Sequence, residues 1–142
     1  MLELLRLPRA LLVPISASAI LLAGCAKAGS EQSAPKGPSF AKDVQPIFDN
    51  NCVACHQTGG AQQALILEPG KSFANIVGVK SKESGLRLIT PDNAGQSYLL
   101  LKLEGKQQQA GGSGAQMPLG DALSPAQIAT VQQWIEAGAP DN

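Results

Sequence analysis

Apolar residues in this chain gather in a few short runs, separated by polar stretches rich in Gly, Ser and Gln. Phe40, Val44, Ile47 and Phe48 recur at helical spacing behind Ser39, a good N-cap, so a helix is predicted from Phe40 to about Asn50. Pro46 is its awkward residue, because proline removes an N–H and crowds the preceding turn. Leu65 to Leu67 is a brief apolar run closed by Pro69-Gly70, and Ser72 to Val77 has room for one or two helical turns before Gly78. After Leu86 to Ile89, Pro91-Asp92-Asn93 turns the chain, and Gln96 to Leu103 is predicted as an apolar core helix ended by Gly105. Lys106 to Gln116 has no apolar period and reads as a mobile loop leading to Met117-Pro118.

The last element is the best specified. Ser124 caps it, Pro125 takes its first turn and Gln127 completes a capping box, with Leu123 placed to staple onto Ile128. Ile128, Val131 and Ile135 form one stripe beside Trp134; Gly138 stops the helix and Pro140 follows. This helix is expected to pack across the Phe40 helix. The fold class that follows is all-α, small, with long loops.

The N-terminal pattern differs. Arg6 and Arg9 precede an apolar stretch from Ala10 to Leu22, short for a membrane span and suited to an export signal. It ends in Leu22-Ala23-Gly24-Cys25, which resembles the lipobox of bacterial lipoproteins; that resemblance implies cleavage before Cys25, acylation of Cys25, and stable anchoring if several acyl chains are attached. Residues 25–38 are small and polar and read as a flexible tether, with a root-mean-square span of roughly 20 Å. The expected organisation is a lipoprotein signal peptide over 1–24, a lipid-anchored tether over 25–38 and one folded domain over 39–142.

Charge excludes one class of partner. The chain has 11 Lys and Arg against 11 Asp and Glu, and losing Glu3, Arg6 and Arg9 with the signal leaves it slightly acidic. Nothing there suits nucleic acid. Aromatic residues make up only 4% of the chain, little bulk for a core of this size unless a large apolar group supplements it.

Five consecutive residues carry the chemistry. Cys52-Val53-Ala54-Cys55-His56 sets two thiols three residues apart, able to add to two vinyl groups of a haem, with a histidine adjacent to meet the iron. A thioredoxin-like dithiol would need a strand-turn-helix context that is not visible. A zinc site would need a second ligand pair that the chain beyond His56 does not have. One covalent haem c is the expected cofactor. His56 is the sole histidine, which excludes bis-histidine ligation within one chain. The sixth position is then open to Met117, to a lysine such as Lys71 or Lys106, or to nothing. Met117 is favoured, as the only methionine left after signal removal, in a loop that Pro118 stiffens.

The stretch from Phe40 to Pro140 resembles the class I cytochrome c domains, especially a bacterial branch met in planctomycetes and related lineages. The carriers are Phe40 through Phe48, Asn51 through His56, Ser97-Tyr98-Leu99-Leu100, Met117-Pro118, and Ile128 through Ala139. The resemblance implies a small helical fold around one haem, thioethers at Cys52 and Cys55, proximal His56 and distal Met117. The long Gly/Gln loop before Met117 departs from the family pattern.

Weaker candidates are Arg87, which could meet a haem propionate; Lys80, Lys82 and Arg87, which could form a docking patch for an acidic redox partner; and Tyr98 and Trp134, which could touch the porphyrin. A surface or core role is the commoner fate of each. The expected function is a single-electron carrier, not an enzyme, serving redox protein partners. It would be held to a membrane by its lipid in the cell envelope, facing the periplasm, with Ala26 after the acylated cysteine favouring the outer membrane. Two alternatives stay open: a peroxidase or gas sensor with a displaceable methionine, whose iron would bind outside ligands, and a fixed subunit of a respiratory complex, which would use the same chemistry as the carrier.

Overall fold

A computed structural model describes residues 37–142; the expected signal over 1–24, Cys25 and all but the end of the tether lie outside the described residues. The chain enters its first turn with Ser39 Oγ accepting from the Lys42 N–H at 3.3 Å. That turn, Phe40–Val44, is π-helical, and α1 continues from it over Gln45–Asn51. The wide turn is how the backbone accommodates Pro46. The Gln45 N–H reaches back five residues to the Phe40 carbonyl, so the proline, which has no N–H to donate, follows a widened turn.

Three further α-helices follow: α2 over Ser72–Ile76, α3 over Tyr98–Leu103 and α4 over Pro125–Glu136. α3 begins two residues later than expected, because Ala94–Gln96 forms its own 3-10 turn, with Asn93 Oδ1 accepting from the Gln96 N–H at 3.1 Å. Among the described residues the β pairings are isolated bridges, Val77 with Ile89, Lys80 with Arg87 and Arg87 with Ser97. The all-α expectation holds. α4 carries both halves of its capping box, and Gly138, at φ +91°, turns the chain out of the helix.

α4 packs across the first turn as its stripe implied. Val131, Trp134 and Ile135 are fully buried, and Trp134 meets Phe40 and Phe73 at centroid separations of 5.1 and 6.4 Å. Its Nε1–H donates to the Pro140 carbonyl at 2.9 Å, so the indole is buried without an unpaired donor. The first helical turn and the last described residue meet. Asn142 accepts through its main-chain oxygen from Ser39 Oγ at 2.6 Å and from the Ala41 N–H at 2.9 Å, and through Oδ1 from the Phe40 N–H at 2.8 Å.

The Gly/Gln stretch differs from its expectation as a mobile loop. Gln107–Ala110 is a 3-10 turn, Gln107 is buried with its Nε2 donating to the Gly114 carbonyl at 2.8 Å, and Gln116 Nε2 donates to the Leu103 carbonyl at 2.6 Å. Gly112 is needed where it stands, because a Cβ there would overlap the Tyr98 hydroxyl and ring edge. Side-chain amides bonded to backbone carbonyls fix this segment, and such bonds leave no apolar period in a sequence.

Candidate functional site

α1 ends where the chemistry begins. The Cys52 N–H still bonds to the Phe48 carbonyl at 2.8 Å, but Cys52 itself leaves helical geometry at φ −130°. Its carbonyl then accepts from both the Cys55 N–H at 3.1 Å and the His56 N–H at 3.0 Å. One tight turn thus presents both thiols and the imidazole from a helix end fixed by buried Phe48. Cys52 is half-buried and Cys55 exposed, and among the described residues neither is bridged by a disulfide.

The next loop is closed twice at its base. The Leu67 N–H bonds to the His56 carbonyl at 2.8 Å, and Glu68 accepts from the Thr58 N–H at 3.1 Å, from the Thr58 hydroxyl and from Lys71 Nζ at 3.0 Å. These bonds hold the Glu68 carboxyl down at about 2, the Thr58 hydroxyl contributing most and Lys71 next. The tip of this loop, Gln62 to Leu65, folds over a cleft of about 520 Å³, within the range of small-molecule and cofactor sites.

Cys52, Cys55, His56 and Met117 all line this one cleft. Its walls are largely apolar, with Phe48, Leu65, Leu67, Leu88, Leu99 and Leu103 among them. Met117 is half-buried against the core cluster, and its N–H bonds to the Lys102 carbonyl at 3.1 Å. Val79 and Leu119 are the exposed large apolar side chains among the described residues, and both stand at this cleft.

The donor set suits a large organic group and not a bare ion. Among the described residues no cluster of three or more His, Cys, Asp or Glu side chains converges to hold a metal. Burial pushes the Cys52 thiol up to about 11, the opposite of the lowered thiol that a redox-active dithiol needs. His56 Nδ1 is buried with no hydrogen-bond partner among the described residues. The imidazole is therefore not committed to a protein partner through that nitrogen. Two thiols, an uncommitted imidazole and a thioether around an apolar cleft fit a haem.

The secondary candidates separate. Tyr98 lines the cleft, and its hydroxyl donates to Glu83 Oε2 at 3.0 Å. Burial and then Glu83 raise this phenol to about 12. Trp134 lies in the core and does not line the cleft. Arg87 is exposed, donates to the Gly78 carbonyl and is not part of the lining, while Lys80 and Lys82 line it with exposed side chains. Lys71 and Lys106, the alternative sixth ligands, pair with Glu68 and Glu104 away from the cleft. Sequence reasoning missed Lys102 and Glu83, which both line the cleft and pair at 3.4 Å. The available signal was one charge inside the apolar run Tyr98 to Leu103.

A family model described as Cytochrome c matches residues 41–138. Among solved structures, the Kuenenia stuttgartiensis hydrazine synthase is similar in fold, with a TM-score of 0.51 at 19% identity over 71% of this chain. The match spans 16% of that longer chain. No curated protein sequence matches significantly.

Proposed function

The chain belongs to the cytochrome c family, and from that premise we propose that it holds one covalent haem c through Cys52 and Cys55, with His56 and Met117 as axial ligands, and passes single electrons between redox proteins. The family binds haem c and has an electron-transfer function; the residue roles are the proposal. The observation that carries it is that two thiols, the single histidine and Met117 line the same apolar cleft.

Each residue then has a task. Cys52 and Cys55 would hold the haem through thioethers, and the turn on the Cys52 carbonyl fixes the spacing of their thiols. His56 and Met117 would supply a nitrogen and a sulfur ligand to its iron, a pair that would raise the reduction potential relative to two histidines. Phe48, Leu67 and Leu99 exclude water, which limits the reorganisation that accompanies a change of charge. When bound, the haem supplies a one-electron iron couple. The single histidine leaves no second imidazole to act as distal acid or base, which disfavours a peroxidase.

Anchoring is part of the same reading. Cys25, behind the apolar stretch Ala10 to Leu22, is the lipidated residue, and the domain works in the cell envelope on the periplasmic side, with the outer membrane favoured by Ala26. Among the described residues no helix is long and apolar enough to cross a membrane.

The test is mass spectrometry of the exported protein with extraction in acidified organic solvent. The mature chain should begin at Cys25, with lipid and one haem added, and its pigment should resist extraction. In Cys52→Ala/Cys55→Ala the pigment should wash out. A colourless wild-type protein, or pigment extracted from it, would end the proposal.

A further inference from the structure

Helix α3 carries one charge. Lys102 stands among Leu99, Leu100, Leu101 and Leu103, and its side chain is almost wholly buried. A buried ammonium is costly unless it is paired and hydrogen-bonded, so its partners indicate its use. Nζ donates to the Ser113 carbonyl at 2.6 Å and pairs with Glu83 Oε2 at 3.4 Å. The carbonyl of the same residue accepts from the Met117 N–H at 3.1 Å. Lys102 therefore grips the loop at Ser113 and again at Met117, four residues further on.

Tyr98, one turn earlier on α3, donates to the same Glu83 oxygen at 3.0 Å and lies directly under Gly112. Ser84, next to Glu83, donates to the Ala110 carbonyl at 2.8 Å. The segment around Glu83, helix α3 and the loop before Met117 thus form one wall of the cleft. Gln107 and Gln116 add bonds to it that carry no formal charge. The bond from Lys102 Nζ to the Ser113 carbonyl is charge-assisted, and so the stronger one, while the bond from the Met117 N–H to the Lys102 carbonyl is main-chain and does not depend on the side chain.

We propose that Lys102, held by Glu83, is a positioning residue that keeps Met117 at the cleft and so sets how readily the iron's distal side opens to an outside ligand. This rests on the reading of Met117 as the distal ligand. A loop with no apolar anchor of its own needs such a hold, because its free conformers would draw the methionine away in proportion to their population.

The experiment uses the haem-loaded protein. Imidazole affinity is measured by optical titration, and amide hydrogen exchange is followed at Met117 and at Val131 and Ile135 in α4. In Lys102→Leu, imidazole should bind about tenfold tighter and Met117 exchange about tenfold faster, with α4 unchanged. Lys102→Arg should keep most of the wild-type behaviour. Glu83→Gln should shift both readouts the same way but less, and it decides the question if Lys102→Leu does not fold. Unchanged imidazole affinity and Met117 exchange in the folded variants would overturn the proposal, and so would equal acceleration in α4, which would mark a general loss of stability. Met117→Ala separates the two readings: imidazole affinity equal to wild type there would remove Met117 as a ligand, whatever Lys102 does.

Discussion

The Trp134 indole lies against the Phe40 ring, centroids 5.1 Å apart and planes inclined by 40°, and neither residue lines the cleft. The first and last helical elements are joined there, by a contact separate from the chemistry. Trp134→Ala should therefore lower global stability by about 3–5 kcal/mol, the usual cost of emptying a large aromatic site. Denaturant titration measures it. The visible spectrum of the folded fraction should be unchanged.

Met117→Ala should make the iron bind carbon monoxide and lower the reduction potential by on the order of 0.1 V. Lys71→Ala and Lys106→Ala should leave both unchanged, since those lysines pair with Glu68 and Glu104 outside the cleft. Spectroelectrochemistry with carbon monoxide difference spectra would show it. An unaltered spectrum in Met117→Ala removes the distal assignment.

Glu68 gives a dependence on acid. Its carboxyl is held at about 2 in the folded chain against an ordinary 4.5, so the unfolded chain takes up the proton first as pH falls. The stabilisation is complete above pH 4.5 and is lost between pH 4.5 and about 2. Urea midpoints across that window should fall less steeply in Glu68→Gln than in the wild type. Equal slopes would mean that the Thr58–Glu68 clasp contributes nothing.

Tyr98 gives the alkaline counterpart. It is the only tyrosine, so phenolate absorbance reports it alone. Its folded value is raised from 10 to about 12; the protonated phenol thus favours the fold below pH 10, and this support is lost as pH rises through 12. Phenolate should appear near pH 12 in the folded protein and near pH 10 in denaturant. Tyr98→Phe should abolish the signal and flatten stability over the same interval.

Local signals were legible where they acted alone. Ser124, Pro125 and Gln127 set the start of α4, and Gly138 its end, because capping is settled within a few residues. The spacing of Cys52, Cys55 and His56 marked the site for the same reason. The π-turn before Pro46 was not foreseen, since the sequence marks the proline but not the wider turn by which the Gln45 N–H reaches the Phe40 carbonyl. Nor was the ordering of residues 106–116: the carbonyls of Leu103, Gly114 and Ser113 that pin it belong to backbone, and backbone does not show in composition. Arg87 illustrates the converse. A haem contact was its minor reading and a surface role the commoner one, and it is exposed, engaged by the Gly78 carbonyl outside the cleft.

Asn142 holds Ser39, Phe40 and Ala41 through three hydrogen bonds, so the polypeptide enters and leaves this domain at a single point. A unit with coincident ends can be spliced into the surface loop of a host protein without stretching either junction. The same geometry suits circular permutation of residues 39–142, with Ser39 and Asn142 bridged by a short linker and new ends opened elsewhere.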